Sequence, residues 1–139
     1  MSSKIQSIVF VLFLMLAGCG QSRDNQSNQK PTESKGPAKI DFEQVFYDFG
    51  DIRQGEQVAF VFEFTNTGKS PLLIKDAAAS CGCTVPDYDK APIAPGEKGG
   101  IEVLFDASGR RGNQYKTLIV KTNTLRGTIR LTIKANVIV

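Results

Sequence analysis

Along much of the chain, side chains alternate between two characters with a period of two. Val58, Phe60, Phe62 and Phe64 fall on one side of the run Val58–Thr65, and Ile101, Val103 and Phe105 on one side of 101–105. In Thr128–Val137 the inward set is Ile129, Leu131, Ile133 and Val137. A period of two with one polar face marks a half-buried strand. Leu72-Leu-Ile74-Lys and Lys116-Thr-Leu118-Ile-Val120-Lys are shorter versions. Turn clusters separate them: Asp51-Ile-Arg-Gln-Gly55, Asn66-Thr-Gly68, Ala94-Pro-Gly96, Ser108-Gly109 with Gly112-Asn113, and Asn123 to Gly127. Gly and Asn there are expected to supply positive φ. No long window follows the helical period. The pattern predicts an all-β, immunoglobulin-like antiparallel sandwich of about seven strands with Greek-key connections.

The head of the chain follows another pattern. Lys4 precedes an apolar run from Ile8 to Ala17 that ends in Leu16-Ala17-Gly18-Cys19. A basic start and a short apolar run make a secretory signal. A membrane-spanning helix needs about 20 apolar residues, so this run is too short to span. The tetrapeptide resembles the bacterial lipobox, which makes residues 1–18 a lipoprotein signal peptide and Cys19 the lipidated residue. Bacterial lipoproteins carry two or three acyl chains, enough for a stable tether where one is marginal. Gly20 to Ala38 holds no Val, Ile, Leu, Met or aromatic residue. Such a stretch is expected to be a disordered linker of about 24 Å root-mean-square reach. The folded domain then occupies residues 39–139 and faces the periplasm or the exterior, held at the cell membrane or the outer membrane. Gly20, where an aspartate tends to retain enteric lipoproteins on the inner membrane, leans toward the outer one.

Composition narrows the chemistry. The domain has thirteen Lys and Arg against twelve Asp and Glu, a net charge of +1. That is no footprint for nucleic acid. The chain has no His, which removes Ser-His and Cys-His pairs and the usual zinc-hydrolase sites. No Gly-rich phosphate loop precedes a helix. The expectation is a protein without enzymatic activity, cofactor or evident small-molecule substrate. There is no Trp, and no Cys pair placed to join the sheets through their middle strands. The phenylalanines must fill the core.

Several motifs occur in a fixed order. They are Phe46-Tyr-Asp-Phe49-Gly50, Gly55, Phe60-X-Phe62-X-Phe64-X-Asn66-X-Gly68, Pro71-Leu72, Ser80-Cys-Gly-Cys-Thr84, Pro92-Ile-X-Pro95-Gly96 and Lys121-Thr-Asn123. This succession resembles the bacterial domain of unknown function 1573, a family similar to Hydin-like immunoglobulin folds. The resemblance covers nearly all of residues 39–139. It implies the sandwich and an envelope lipoprotein context, and it implies no function.

Two features carry candidate chemistry. With Cys19 lipidated, Cys81 and Cys83 are the remaining thiols. Residues i and i+2 of a strand lie about 6.6 Å apart, beyond the roughly 5.5–6 Å that a disulfide prefers. A bridge needs a bend, which Gly82 permits, and strained disulfides are the more oxidising ones. Two buried small side chains or an inert bridge, a redox pair, and a Cu(I) site on two thiolates all remain open. The second feature is charge. After Asp106 the chain has Arg110, Arg111, Lys116, Lys121, Arg126, Arg130 and Lys134 with no acidic residue. Lys75, Lys121, Arg130 and Lys134 are expected to share one outward face. That face is either simply solvated or docks an acidic envelope protein or an anionic envelope polymer. The leading expectation is a binding or scaffolding module tied to the membrane by lipid. The alternative is a thiol redox or copper-handling protein.

Overall fold

The period-two runs become strands whose inner and outer faces differ as their sequences do. The computed structural model describes residues 36–80 and 84–139, the side chain of Val85 excepted, and all belong to the compact unit Glu33–Val139. Eight strands follow in order: β1 (Ile40–Phe42), β2 (Phe46–Arg53), β3 (Gln57–Asn66), β4 (Ile74–Ala79), β5 (Thr84–Tyr88), β6 (Lys98–Asp106), β7 (Gly112–Thr122) and β8 (Thr128–Ile138). They form two sheets, β1-β3-β6-β5 and β2-β8-β7-β4. Strand order and connections are those of the immunoglobulin sandwich.

The count is eight rather than seven because the first strand is split. β1 pairs antiparallel with β3 in the first sheet. After Glu43–Val45 the chain continues without reversing and joins the second sheet as β2. It therefore meets β8 in parallel, starting at Phe46↔Thr132, the one departure from the expected antiparallel pairing. A bulge between Asp48 and Asp51 kinks β2, with Gly50 at φ 71°.

Between the sheets lie Phe62, Phe64 and Phe105 with Leu72, Ile101, Leu118 and Leu131, all sealed from solvent. Each such side chain contributes about 1.5–3 kcal/mol by burial. Tyr47 of β2 stacks on Phe60 of β3 with ring centroids 3.6 Å apart, a clamp between the sheets. The described residues include no cysteine, so among them no disulfide joins the sheets.

Several local expectations change. Leu72 belongs to an isolated bridge with Ile93, and the strand expected over 72–75 runs instead from Ile74 to Ala79. Ile52, expected in a turn, is buried in β2. No non-glycine residue among those described has positive φ, and Gly68 does not either. The asparagines act through their side chains. Asn66 is fully buried. Its amide donates to the carbonyls of Ser70 and Ile93, each at 2.9 Å, and its Oδ1 accepts the N–H of Gly68 at 3.0 Å. Asn123 takes the N–H of Leu73 and donates to the carbonyl of Pro71, each at 2.9 Å. Gly68 is needed for close approach, since a Cβ there would lie 2.3 Å from the nitrogen of Lys39. Ala38, placed by composition in the linker, is 4% exposed. Just before it, the Pro37 carbonyl accepts from Lys69 N–H and the Gly36 carbonyl from the Ser70 hydroxyl.

Candidate functional site

The β7–β8 hairpin sets the spacing of the basic residues. Lys121 faces Thr128, Ile119 faces Arg130, and Tyr115 faces Lys134. With Leu118, Val120, Leu131 and Ile133 buried, period two turns Lys121, Arg130 and Lys134 outward, as expected. Their surroundings are not as expected. The strands flanking the hairpin bring carboxylates from far back in the chain. Asp76 of β4 lies opposite Lys121, with Nζ 3.0 Å from Oδ2. Asp48 of β2 lies opposite Lys134, with Nζ 2.7 Å from Oδ2. Asp51 accepts from the amide of Asn136 at 2.8 Å. Hydrogen bonding to Lys134, then to the N–H of Gly50, holds the Asp48 carboxyl below its usual range. The bond to Asp48 in turn holds the Lys134 ammonium above its usual value.

Lys75 is not part of the row. The β4 register passes from Ile74↔Thr122 to Asp76↔Lys121, so Lys75 is the extra residue of a bulge on an edge strand, exposed to solvent. Of the four cations expected to act together, two are paired and one is displaced. Arg130 remains at the centre with no ion pair among the described residues. The face is a mixed surface, not a basic one. It also carries exposed apolar bulk that charge counting missed: Phe46 at 46%, Tyr115 at 61% and Ile138 at 42%. The signal was present, since each breaks the polar phase of its strand.

A cavity of about 490 Å³ opens beside this sheet, where the split first strand leaves a gap. β1 and Val45 line one wall, and Thr124–Arg126 with Ile129 line the other.

Cys19, Cys81 and Cys83 lie outside the described residues. What flanks the second and third is in place. Ser80 donates its N–H to the carbonyl of Thr117 at 2.9 Å, and Thr84 is buried in β5. Residues 80–83 thus separate β4 in one sheet from β5 in the other. Lys116, next to Thr117, is half-buried on the inward phase of β7. Burial, then the nearby Arg110 charge, pushes its ammonium below the usual lysine value.

Solved structures share the fold at low identity. A protein of unknown function from Porphyromonas gingivalis W83 has a TM-score of 0.65 and 18% identity, over 78% of this chain and 51% of that one. This chain thus spans about half the length of that relative. The ASH/PapD-like domain 7 of human CEP192 has a TM-score of 0.56 and 14% identity, over 73% and 87%. The Vibrio cholerae VesB protease has a TM-score of 0.55 and 18% identity, over 74% of this chain and 32% of that one. At such identities the likeness concerns the fold alone. No curated protein sequence matches this one. A family model described as protein of unknown function (DUF1573) matches residues 40–137, from the first strand to the last. The motif order, the sandwich and this match agree: the chain belongs to the DUF1573 family.

Proposed function

We infer that this protein is a cell-envelope lipoprotein, anchored by lipid on Cys19, whose sandwich binds or scaffolds a partner and catalyses nothing. The observation that carries this reading is the outer face of the second sheet. Phe46, Tyr115 and Ile138 are exposed there on the same outward phase as Arg130, while Lys121 and Lys134 are paired with carboxylates. Aromatic residues and arginine are the side chains that most often anchor protein interfaces. The partner is an envelope protein or an anionic envelope polymer, within the short reach that the linker allows.

The test has two arms. A mass spectrum of the mature N-terminus should find a diacylglyceryl group on Cys19. An unmodified Cys19, or cleavage elsewhere, sinks the anchor. Crosslinking in native membranes should yield a partner with the unaltered chain that is lost with Tyr115→Ala plus Arg130→Glu. A partner set unchanged by those substitutions sinks the face.

A further inference from the structure

The gap left by the split strand has two unpaired walls. On β1, the carbonyl of Lys39 accepts the N–H of Thr67, and the N–H of Glu43 donates to Glu63. Asp41 lies opposite Thr65 between them. The main chain of 39, 41 and 43 therefore turns toward β3, and alternation turns the N–H and C=O of Ile40 and Phe42 toward the cavity. β1 is the outermost strand of its sheet, and no hydrogen-bond partner is seen for these groups among the described residues. On the other wall, β2 pairs with β8 only from Thr132 onward, where the Val45 carbonyl accepts the N–H of Thr132. Upstream of that point β8 has no strand neighbour on that side among the described residues.

The cavity runs the length of β1. Ile40, Phe42 and Ile129 are partly buried beneath it, while Val45 is 49% and Leu125 88% exposed at its rim. Lys39 and Arg126 stand at its mouth against one carboxylate, Asp41. Neither cation has an ion pair among the described residues.

We propose that this groove binds an extended peptide of a partner protein, which adds as a strand to the free edge of β1, places alternate apolar side chains over Ile129 and Leu125, and sets an acidic residue against Lys39 and Arg126. This names the partner chemistry of the binding module, and it rests on that reading of the domain. Strand addition gives affinity through main-chain bonds and specificity through pockets for alternate side chains. A lipid tail fits the apolar wall but leaves four main-chain groups of Ile40 and Phe42 unanswered. The chain's own residues 20–35 offer no apolar side chain larger than proline.

The probe is the labelled peptide Asp-Val-Thr-Val-Thr-Val, titrated into the full chain. Binding should slow amide exchange at Ile40 and Phe42, with no added protection at Asp41, which already faces β3. N-methylation of alternate peptide nitrogens should weaken binding about tenfold or more, since each lost hydrogen bond is worth about 1 kcal/mol. Ile40→Pro should do the same, because proline is tolerated on an edge. Should that variant fail to fold, peptide methylation and amide exchange still decide. Lys39→Glu with Arg126→Glu should reverse the preference toward the peptide carrying Lys in place of Asp. Absence of binding up to about 1 mM overturns the proposal, as does protection elsewhere or indifference to N-methylation. Protection of the same two amides by self-association, or by phosphatidylglycerol vesicles alone, also overturns it in favour of a second copy or of lipid. None of these failures touches the face around Arg130, which native-membrane crosslinking scores separately.

Discussion

The side-chain amide of Asn66 donates to the main-chain carbonyl of Ile93 across 27 residues of sequence, at 2.9 Å and out of reach of water. With the bond to Ser70 and the one from Gly68, one side chain ties the end of β3 to two loops. Leaving a buried polar group unsatisfied costs about 1–3 kcal/mol. Asn66→Ala removes three bonds at once, although the Ile93 carbonyl keeps the N–H of Leu72, so a loss of about 1–3 kcal/mol is expected in urea denaturation. Asn66→Asp should be worse, because a carboxylate cannot donate to the two carbonyls. Equal stability of the asparagine and alanine forms would contradict this account.

Gly99 and Phe64 form a second matched pair. They are opposite each other in β3 and β6, and a Cβ at Gly99 would lie 2.5 Å from Cζ of Phe64. Gly99→Ala should destabilise by about 1–3 kcal/mol through overpacking. Shrinking the ring relieves the clash, so Gly99→Ala with Phe64→Leu should cost less than the sum of the two single changes. Strict additivity in the denaturation cycle would count against the contact.

The pairing of Asp48 with Lys134 sets a pH dependence. A carboxyl more acidic when folded adds stability that is complete above its unfolded value and fades as pH falls through the folded one. An ammonium held above its usual value adds stability that is complete below the unfolded value and fades as pH rises through the folded one. The pair therefore helps between about pH 4 and pH 10 and is lost at both ends. The stability gap between the natural chain and Asp48→Asn should narrow as pH is lowered from neutrality toward 3. A gap constant across that range would show that the pair adds nothing.

Masked charge can be unmasked. Asp48→Asn with Asp76→Asn frees Lys134 and Lys121 without adding cations. If the face meets an anionic envelope polymer, this variant should bind it more tightly, and the gain should shrink as salt rises. A variant that binds no better at low salt would remove the polymer from the list of partners.

For the thiols, Cys81→Ala with Cys83→Ala should leave the crosslinked partner set from native membranes unchanged. Loss of the partners together with loss of reversible thiol titration would move the function onto those two residues.

How much was readable in the sequence depended on what each feature needed. β3, β6 and β8 were legible because their inner and outer faces differ in kind, and Phe62 or Leu131 has no other place to go. β1 is too short to show a period, and the bulge at Asp48–Asp51 breaks the phase of β2. β5 contains Pro86, which argues against an interior strand but is allowed at the sheet edge that β5 occupies. The asparagines in turns suggested backbone conformation, whereas their use lies in side-chain bonds to loops distant in sequence. Period two gave the outward direction of Lys121, Arg130 and Lys134 on β7 and β8, but not the displacement of Lys75 or the charges that surround the row. Its neutralising partners sit on flanking strands, 86 residues away in the case of Asp48 and Lys134.

The split of the first strand also bears on how the domain takes a pull. Tension entering from the N-terminus meets the contacts of residues 36–38 with Lys69 and Ser70 and then β1, which is held to β3 by only three paired residues. β2 follows with six pairings to β8. Stretching should therefore peel β1 away while the rest of the sandwich stays folded, lengthening the chain by roughly 3.3 Å for each residue released. A domain built this way carries a mechanical fuse at the N-terminal end of its sandwich, and the groove along β1 goes with it.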